Sequence, residues 1–176
     1  MEENDVLLIS DETGFEINDK TTRRYYYRGI TPKAVKSGRR GRANYIGAIN
    51  YRTGQLHVKQ IGRLNASVFI TFLEHLLDFY GPNQHIYLIV DNAPGHTAKM
   101  VSSFVSSYSH RLTLFFLPKY SPDLNPIELL WRCTKQDLIY PQSFDRVSDL
   151  TRVVDNYFDS FTVPNPVLQS LCHGFY

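Results

Sequence analysis

Cysteine is scarce in this sequence, and long apolar runs are missing altogether. The two cysteines, Cys133 and Cys172, make neither a disulfide framework nor a metal-knuckle spacing, so a reducing, intracellular setting is expected. The longest clean apolar stretches are of strand length, such as Ile86 to Val90, far short of the roughly 18 residues that span a membrane. The first residues read MEEND, acidic where an export signal is basic. No internal repeat, low-complexity tract or linker divides the chain. Against these absences stand 176 residues with 43% hydrophobic and 20% charged content. That is enough for a packed core in a single domain over 1–176, and too much apolar material for wholesale disorder.

Charge of one sign is missing from whole regions. Residues 1–19 carry seven acids and no base, and residues 20–63 carry twelve Lys or Arg and no acid. Residues 64–176 hold seven bases and ten acids, so the net charge of +2 conceals a strongly polarised first third.

Apolar periodicity gives an element order. VLLIS, Val6 to Ser10, reads as a short buried strand. Residues 43–50 and 55–61 flank Tyr51-Arg52-Thr53-Gly54, a hairpin turn. Asn65 caps a helix carrying Phe69, Phe72, Leu73, Leu76, Leu77 and Tyr80 at the 3.6 period, and Gly81-Pro82 ends it. His85 to Val90 is a second buried strand. Thr97 opens a helix with Met100, Val101, Phe104, Val105 and Tyr108 on one face. Leu112 to Leu117 is a further apolar strand. Asn125 and Pro126 start a helix reaching about Ile139. Ser143 to Phe161 is a last helix with Val147, Leu150, Val154, Tyr157 and Phe161 inside. Hairpin strands followed by alternating strands and helices predict an α/β fold, a mixed β-sheet with helices on both faces.

Two apolar strands run into an acid, VLLIS into Asp11 and IYLIV into Asp91. If both strands are parallel and central, both carboxylates emerge at one sheet edge, where reactive groups of such sheets collect. Carboxylates held together raise each other's pKa, and a hard divalent cation relieves that repulsion. An Asp at a strand end equally well starts a turn. Glu128 follows Asn125 and Pro126 as the third helical residue, where it either closes a capping box or faces the same edge.

Three segments together resemble the catalytic domain of DDE transposases of the mariner-like superfamily, in its bacterial insertion-sequence branch. They are SDETGF around Asp11, VDNAPGH around Asp91 and LPKYSPDLNPIELLW around Glu128. The last is long and specific. RRYYYRGITP is similar to the family's stretch after the first acid, and the resemblance runs from Val6 to Ile139. It implies a ribonuclease-H-like fold in which Asp11, Asp91 and Glu128 are the catalytic, metal-binding acids. They would hold two Mg²⁺ or Mn²⁺ ions for endonucleolytic cleavage of DNA and strand transfer. It implies TA-dinucleotide targets, and transposon-end and target DNA as partners; among the supporting residues, His96, which the family pattern also has, either donates to a phosphate or serves the turn before the helix, and Asn92 either orients the neighbouring carboxylate or holds the turn. Lys119 stands where the family often has a second proline. No helix-turn-helix module fits before Asp11, so the expectation is a catalytic domain alone, one frame of a split gene or a truncated remnant. A separate helix-turn-helix polypeptide and a homodimer in the active complex follow. A bacterial source would put the protein in the cytoplasm, at the nucleoid, with no membrane partner.

The basic block supplies the expected DNA-binding residues: Arg23, Arg24, Arg28, Lys33, Lys36, Arg39, Arg40 and Arg42, interleaved with Tyr25, Tyr26 and Tyr27. Such cations neutralise phosphates, and tyrosines stack on unpaired bases. The competing reading is a solvated loop that keeps the domain soluble. Trp131 is expected in the core and Cys133 as a buried helix residue. His57, His75, His85 and His110 show no ligand spacing. Two further functions remain open: a catalytically silent DNA-binding or assembly remnant, and a nuclease of the same fold acting on RNA–DNA hybrids.

Overall fold

The computed structural model describes residues 4–17, 39–118, 125–140 and 143–173. Strands β1 (Val6–Glu16), β2 (Arg42–Asn50) and β3 (Leu56–Ile61) form an antiparallel meander. Helix α1 (Ala66–Tyr80) crosses to β4 (Ile86–Val90), and α2 (Lys99–Ser107) crosses to β5 (Leu112–Phe116). Both later strands lie parallel to β1, giving the order β3-β2-β1-β4-β5. Then come α3 (Ile127–Thr134), a π-helical turn (Lys135–Ile139), α4 (Val147–Asp159) and α5 (Pro166–His173).

Alternation along the strands sorts the core into two layers. Val6, Leu8, Ile46, Ala48, Ile86 and Leu88 pack against Phe69, Phe72, Leu73 and Leu76 of α1 and Val101 of α2. Phe15, Tyr45 and Ile49 point the other way, onto Trp131 of α3, Leu150, Val154 and Phe158 of α4 and Leu168 of α5. The expected mixed sheet with helices on both faces is present. Among the described residues no helix is long and apolar enough to cross a membrane.

Several boundaries differ from the sequence reading. β1 does not stop at Ser10. Its pairing with β4 ends at Ile9, but β2 continues to offer partners as far as Arg42, so Asp11 sits inside a strand. Asn65 caps α1 as expected, its side chain accepting from Val68 N at 3.0 Å, and Gly81 ends the helix at φ +69°, where a side chain would be strained. The next helix begins at Lys99 rather than Thr97. Its inward stripe is Val101, Phe104, Val105 and Tyr108, and Met100, one step off that stripe, is 55% exposed. Phe115 and Phe116 are exposed because β5 is the sheet's edge.

The helix after Asn125 starts at Ile127, so Glu128 is its second residue, not its third. In α4 the fully buried aromatic is Phe158, while Val147, Tyr157 and Phe161 are only partly covered. α5 was not anticipated. Its signal was Asn165-Pro166, a cap residue before proline: the Asn165 side chain accepts from Val167 N and Leu168 N at 3.0 and 3.1 Å.

Candidate active site

Asp11 and Glu128 are brought to the same place by contacts around one stretch of β1. Asp11 pairs across the ladder with Gly47. A Cβ at Gly47 would come within 2.7 Å of the Trp131 ring, so the missing side chain is what lets the indole lie on the sheet. Trp131 is 4% exposed, in the core as expected. At the start of α3, Asn125 Nδ2 donates to the Ser10 carbonyl at 3.3 Å, and Ser10 Oγ donates to the Gly47 carbonyl at 2.7 Å. The helix is thus tied to the sheet at the residue before Asp11 and at the residue opposite it. Glu128 lies between the two ties. Asp11 and Glu128 both line an open cleft of about 1070 Å³.

Electrostatics couple the acids. Burial, then the charges of Glu12, Glu128 and Asp91, push the Asp11 carboxyl up to about 7, against a backbone bond from Glu12 that pulls it down. Asp11 therefore senses both other acids of the expected set. A carboxylate surrounded in this way favours a proton or a cation.

Asp91 follows the last residue of β4 and is held by its own loop. Ala93 N donates to Asp91 Oδ1 at 2.9 Å, and His96 Nδ1 lies 2.8 Å from the same oxygen. His96 Nε2 lies 2.8 Å from Glu12 Oε1. The imidazole is 1% exposed and packs on Phe69 of α1, ring centroids 4.2 Å apart. Two acceptor carboxylates, one on each nitrogen, raise the His96 pKa although its burial alone would lower it. Among the described residues, Glu12, Asp91 and His96 form the group whose ligand atoms converge within 4.8 Å, close enough to hold a metal ion.

Asn92 bonds away from the carboxylates: its Nδ2 donates to the Leu117 carbonyl at 2.5 Å, tying the β4 loop to the end of β5. Of the expected DNA-binding residues, Arg23, Arg24, Arg28, Lys33 and Lys36 lie outside the described residues, as do Tyr25, Tyr26, Tyr27 and Lys119. Arg39 pairs with Asp145 at 3.8 Å in an exposed contact of little energetic weight, and Arg40 is exposed. Arg42 reaches the cleft. Its Nε donates to Asn44 Oδ1 at 2.7 Å, and its guanidinium lies across Gly14, where a Cβ would collide with it. Cys133 is partly exposed rather than buried.

Four site features were missed from the sequence. Arg63, Arg132 and Lys135 line the cleft with Arg42, setting cations beside the acids. Lys135 opens the π-helical turn, an irregularity that recurs at functional sites. Glu12, the fourth, stood in the quoted segment SDETGF. Alternation sends it to the sheet face opposite Asp11, and only the fold brings His96 round to meet it there.

A family model described as DDE superfamily endonuclease matches residues 6–151. The chain is 23% identical over 154 residues to the insertion element IS630 uncharacterized 39 kDa protein of Shigella sonnei, covering 88% of this chain and 45% of that protein. Its fold is similar to that of a pre-cleavage Mos1 transpososome, with a TM-score of 0.73 and 19% identity over 96% of this chain and 52% of the other. The Mos1 mariner paired-end complex with Mg gives 0.68 and 20% over 97% and 53%. The catalytic domain of Mos1 mariner transposase gives 0.66 and 15% over 96% and 76%. At these identities the likeness is one of fold, the ribonuclease-H-like mixed sheet. The chain spans about half the length of the IS630 protein and of the Mos1 chains in those complexes.

Proposed function

The chain belongs to the DDE superfamily endonuclease family, and from that premise we propose that it is a transposase catalytic domain that cleaves DNA at transposon ends and joins the freed end to target DNA. The observation that carries this reading is the coupling of Asp11 to Asp91 and Glu128 at one edge of the sheet, beside an open cleft lined by arginine and lysine. Nothing in the fold or the comparisons favours the silent alternative.

The donor set fits a hard divalent cation. It offers carboxylate oxygens, and the Asp11 carboxyl, raised first by burial and then by the neighbouring acids, carries a repulsion that a cation between the acids removes. Asp11, Asp91 and Glu128 would hold two such ions, with His96 and Glu12 packed beside Asp91 at the same edge. Bound there, Mg²⁺ or Mn²⁺ would supply the Lewis acidity for activating a water or 3′-hydroxyl and for stabilising the leaving oxygen. The chain's own residues do the rest. Arg42, Arg63, Arg132 and Lys135 neutralise the backbone on either side of the scissile phosphate, and α3 fixes Glu128 against Asp11 so that the geometry needs little rearrangement. The basic residues in the sequence between β1 and β2 add further positive charge for the DNA backbone. Pairing two ends calls for a homodimer, with end recognition by helix-turn-helix modules supplied separately. Such work lies in the cytoplasm, at the nucleoid of a bacterial cell.

The test is incubation with supercoiled plasmid and with duplexes bearing inverted-repeat ends, in Mg²⁺, Mn²⁺, Ca²⁺ or EDTA. Nicked or linear product in Mg²⁺ or Mn²⁺, and none in EDTA, is expected. DNA binding with no product in any metal would favour a silent module. Preferential cleavage of an RNA–DNA hybrid would move the substrate class.

A further inference from the structure

The bonds on the Asp91 carboxylate are unevenly distributed. Among the described residues both groups that bond this carboxylate, Ala93 N and His96 Nδ1, fall on Oδ1. That leaves Oδ2 for the half-exposed side of a residue that is 50% accessible. Oδ1 is an anchor, and the direction in which Oδ2 points depends on the imidazole staying in place. A histidine can rotate about two bonds, so something must hold its other nitrogen. Glu12 Oε1 does so at 2.8 Å, from the opposite face of β1, while Phe69 blocks the flat side of the ring.

We propose that Glu12 is a positioning residue of the site, acting through the buried His96 to fix the rotamer of Asp91 and so the direction in which Asp91 presents its free oxygen. Glu12 does this through His96, from a side chain that also borders the cleft shared by Asp11 and Glu128. The arrangement is the one in which an outer carboxylate orients a group that in turn orients a metal-binding ligand, and loss of such a partner characteristically weakens metal affinity about 10–100-fold. The geometry also explains a local sequence feature. Two adjacent acids in a strand point to opposite faces, so Asp11 and Glu12 serve the same edge from its two sides. Asp11 faces Glu128 on α3; Glu12 faces the loop that leads into α2.

The inference rests on the metal-binding reading of Asp91, and the test separates the two. Mn²⁺ binding is measured directly, by electron paramagnetic resonance of the free ion, on the whole chain without DNA. The variants are Asp91→Asn, Glu12→Ala, Glu12→Gln, His96→Ala and the double Glu12→Ala/His96→Ala, each with a thermal melt. Glu12→Gln keeps the shape and guards against a variant that merely misfolds.

Asp91→Asn is expected to lose Mn²⁺ binding. Glu12→Ala and Glu12→Gln are expected to weaken it about tenfold or more while melting as cooperatively as the wild type. The double variant is expected to bind no more weakly than His96→Ala alone, because the two residues act in series. Wild-type affinity in both Glu12 variants, with Asp91→Asn dead, overturns the inference and leaves the metal reading standing. Losses that multiply in the double variant also overturn it, by making Glu12 a direct ligand. Unchanged affinity in Asp91→Asn removes the metal reading and this inference with it.

Discussion

His96 and His57 are both buried, at 1% and 5% exposure, yet their protonation moves in opposite directions. His96 lies between Glu12 and Asp91, and its pKa is raised. His57 sits on edge strand β3, two strands over from Ser10, among Phe79, Tyr80 and His75, and burial with the neighbouring His75 pushes its pKa down to about 4. Asn50 Nδ2 donates to Tyr80 Oη at 3.1 Å, and the same hydroxyl is hydrogen-bonded to His57 Nε2 at 2.7 Å. Desolvation acts on both rings; the charge of the partners decides the sign. The surroundings of His96 concentrate ionised groups beside an open cleft, and those of His57 form a neutral, internally satisfied network. The first is organised for a charged ligand and the second for stability.

The largest effect that tests this contrast is on rate. Asp91→Asn should lower metal-dependent cleavage by roughly 10³-fold or more while the protein stays folded. His57→Gln should leave the cleavage rate intact at neutral pH and reduce only stability. A His57 variant as inactive as Asp91→Asn, yet fully folded, would dissolve the distinction between the two histidines' surroundings.

The next effect is on stability against pH. With a folded pKa of about 4 against an ordinary 6.5, the unfolded chain takes up a proton that the folded His57 refuses. Its contribution is whole above about pH 6.5 and is lost as pH falls towards 4, with a total near 3 kcal/mol. The stability gap between wild type and His57→Gln, from urea unfolding, should therefore narrow as the pH falls from 7 to 4. A constant gap would mean that His57 is not held neutral.

Asp11 gives an effect of the opposite slope. Its carboxyl is pushed from 3.8 up to about 7, so in metal-free buffer the fold loses stability as pH rises through that window. Asp11→Asn should raise stability by roughly 0.5–2 kcal/mol above pH 7 in EDTA and by little near pH 4. The same substitution should abolish cleavage, so the residue that weakens the empty site is the one the reaction needs.

The smallest effects belong to the cleft cations. Arg132→Ala and Lys135→Ala should each lower the slope of log affinity against log salt by about 0.9 on duplex DNA, whatever its sequence. Unchanged slopes would put the DNA elsewhere.

How much of this was legible in the sequence follows from where the information lies. The strands, α1 with its Asn65 cap, and the two helical layers could be read because burial imposes a period on the chain. The end of β1 could not, since it depends on a partner strand that continues beside Asp11 after β4 has stopped. Asp11, Asp91 and Glu128 were nominated by their segments, and Asp11 and Asp91 also by their strands. The bare Gly47 that admits Trp131, and the Asn125 tie to Ser10, appear only once the sheet is assembled. Glu12 was hidden by its neighbour. A strand sends consecutive side chains to opposite faces, and nothing in the local sequence tells that a loop from across the sheet will bring a histidine to the far side.

The most direct test of the account is metal-dependent nicking of supercoiled plasmid by Glu128→Gln, beside the wild type at matched DNA occupancy. Glu128 is the acid with a ready alternative role, since a carboxylate in the first turn of a helix is stabilising in its own right. If the three acids act together, the Gln variant melts close to the wild type, binds DNA, and yields no nicked product in Mg²⁺ or Mn²⁺. Nicking at the wild-type rate would make Glu128 a helix-terminal residue only and contradict the shared site.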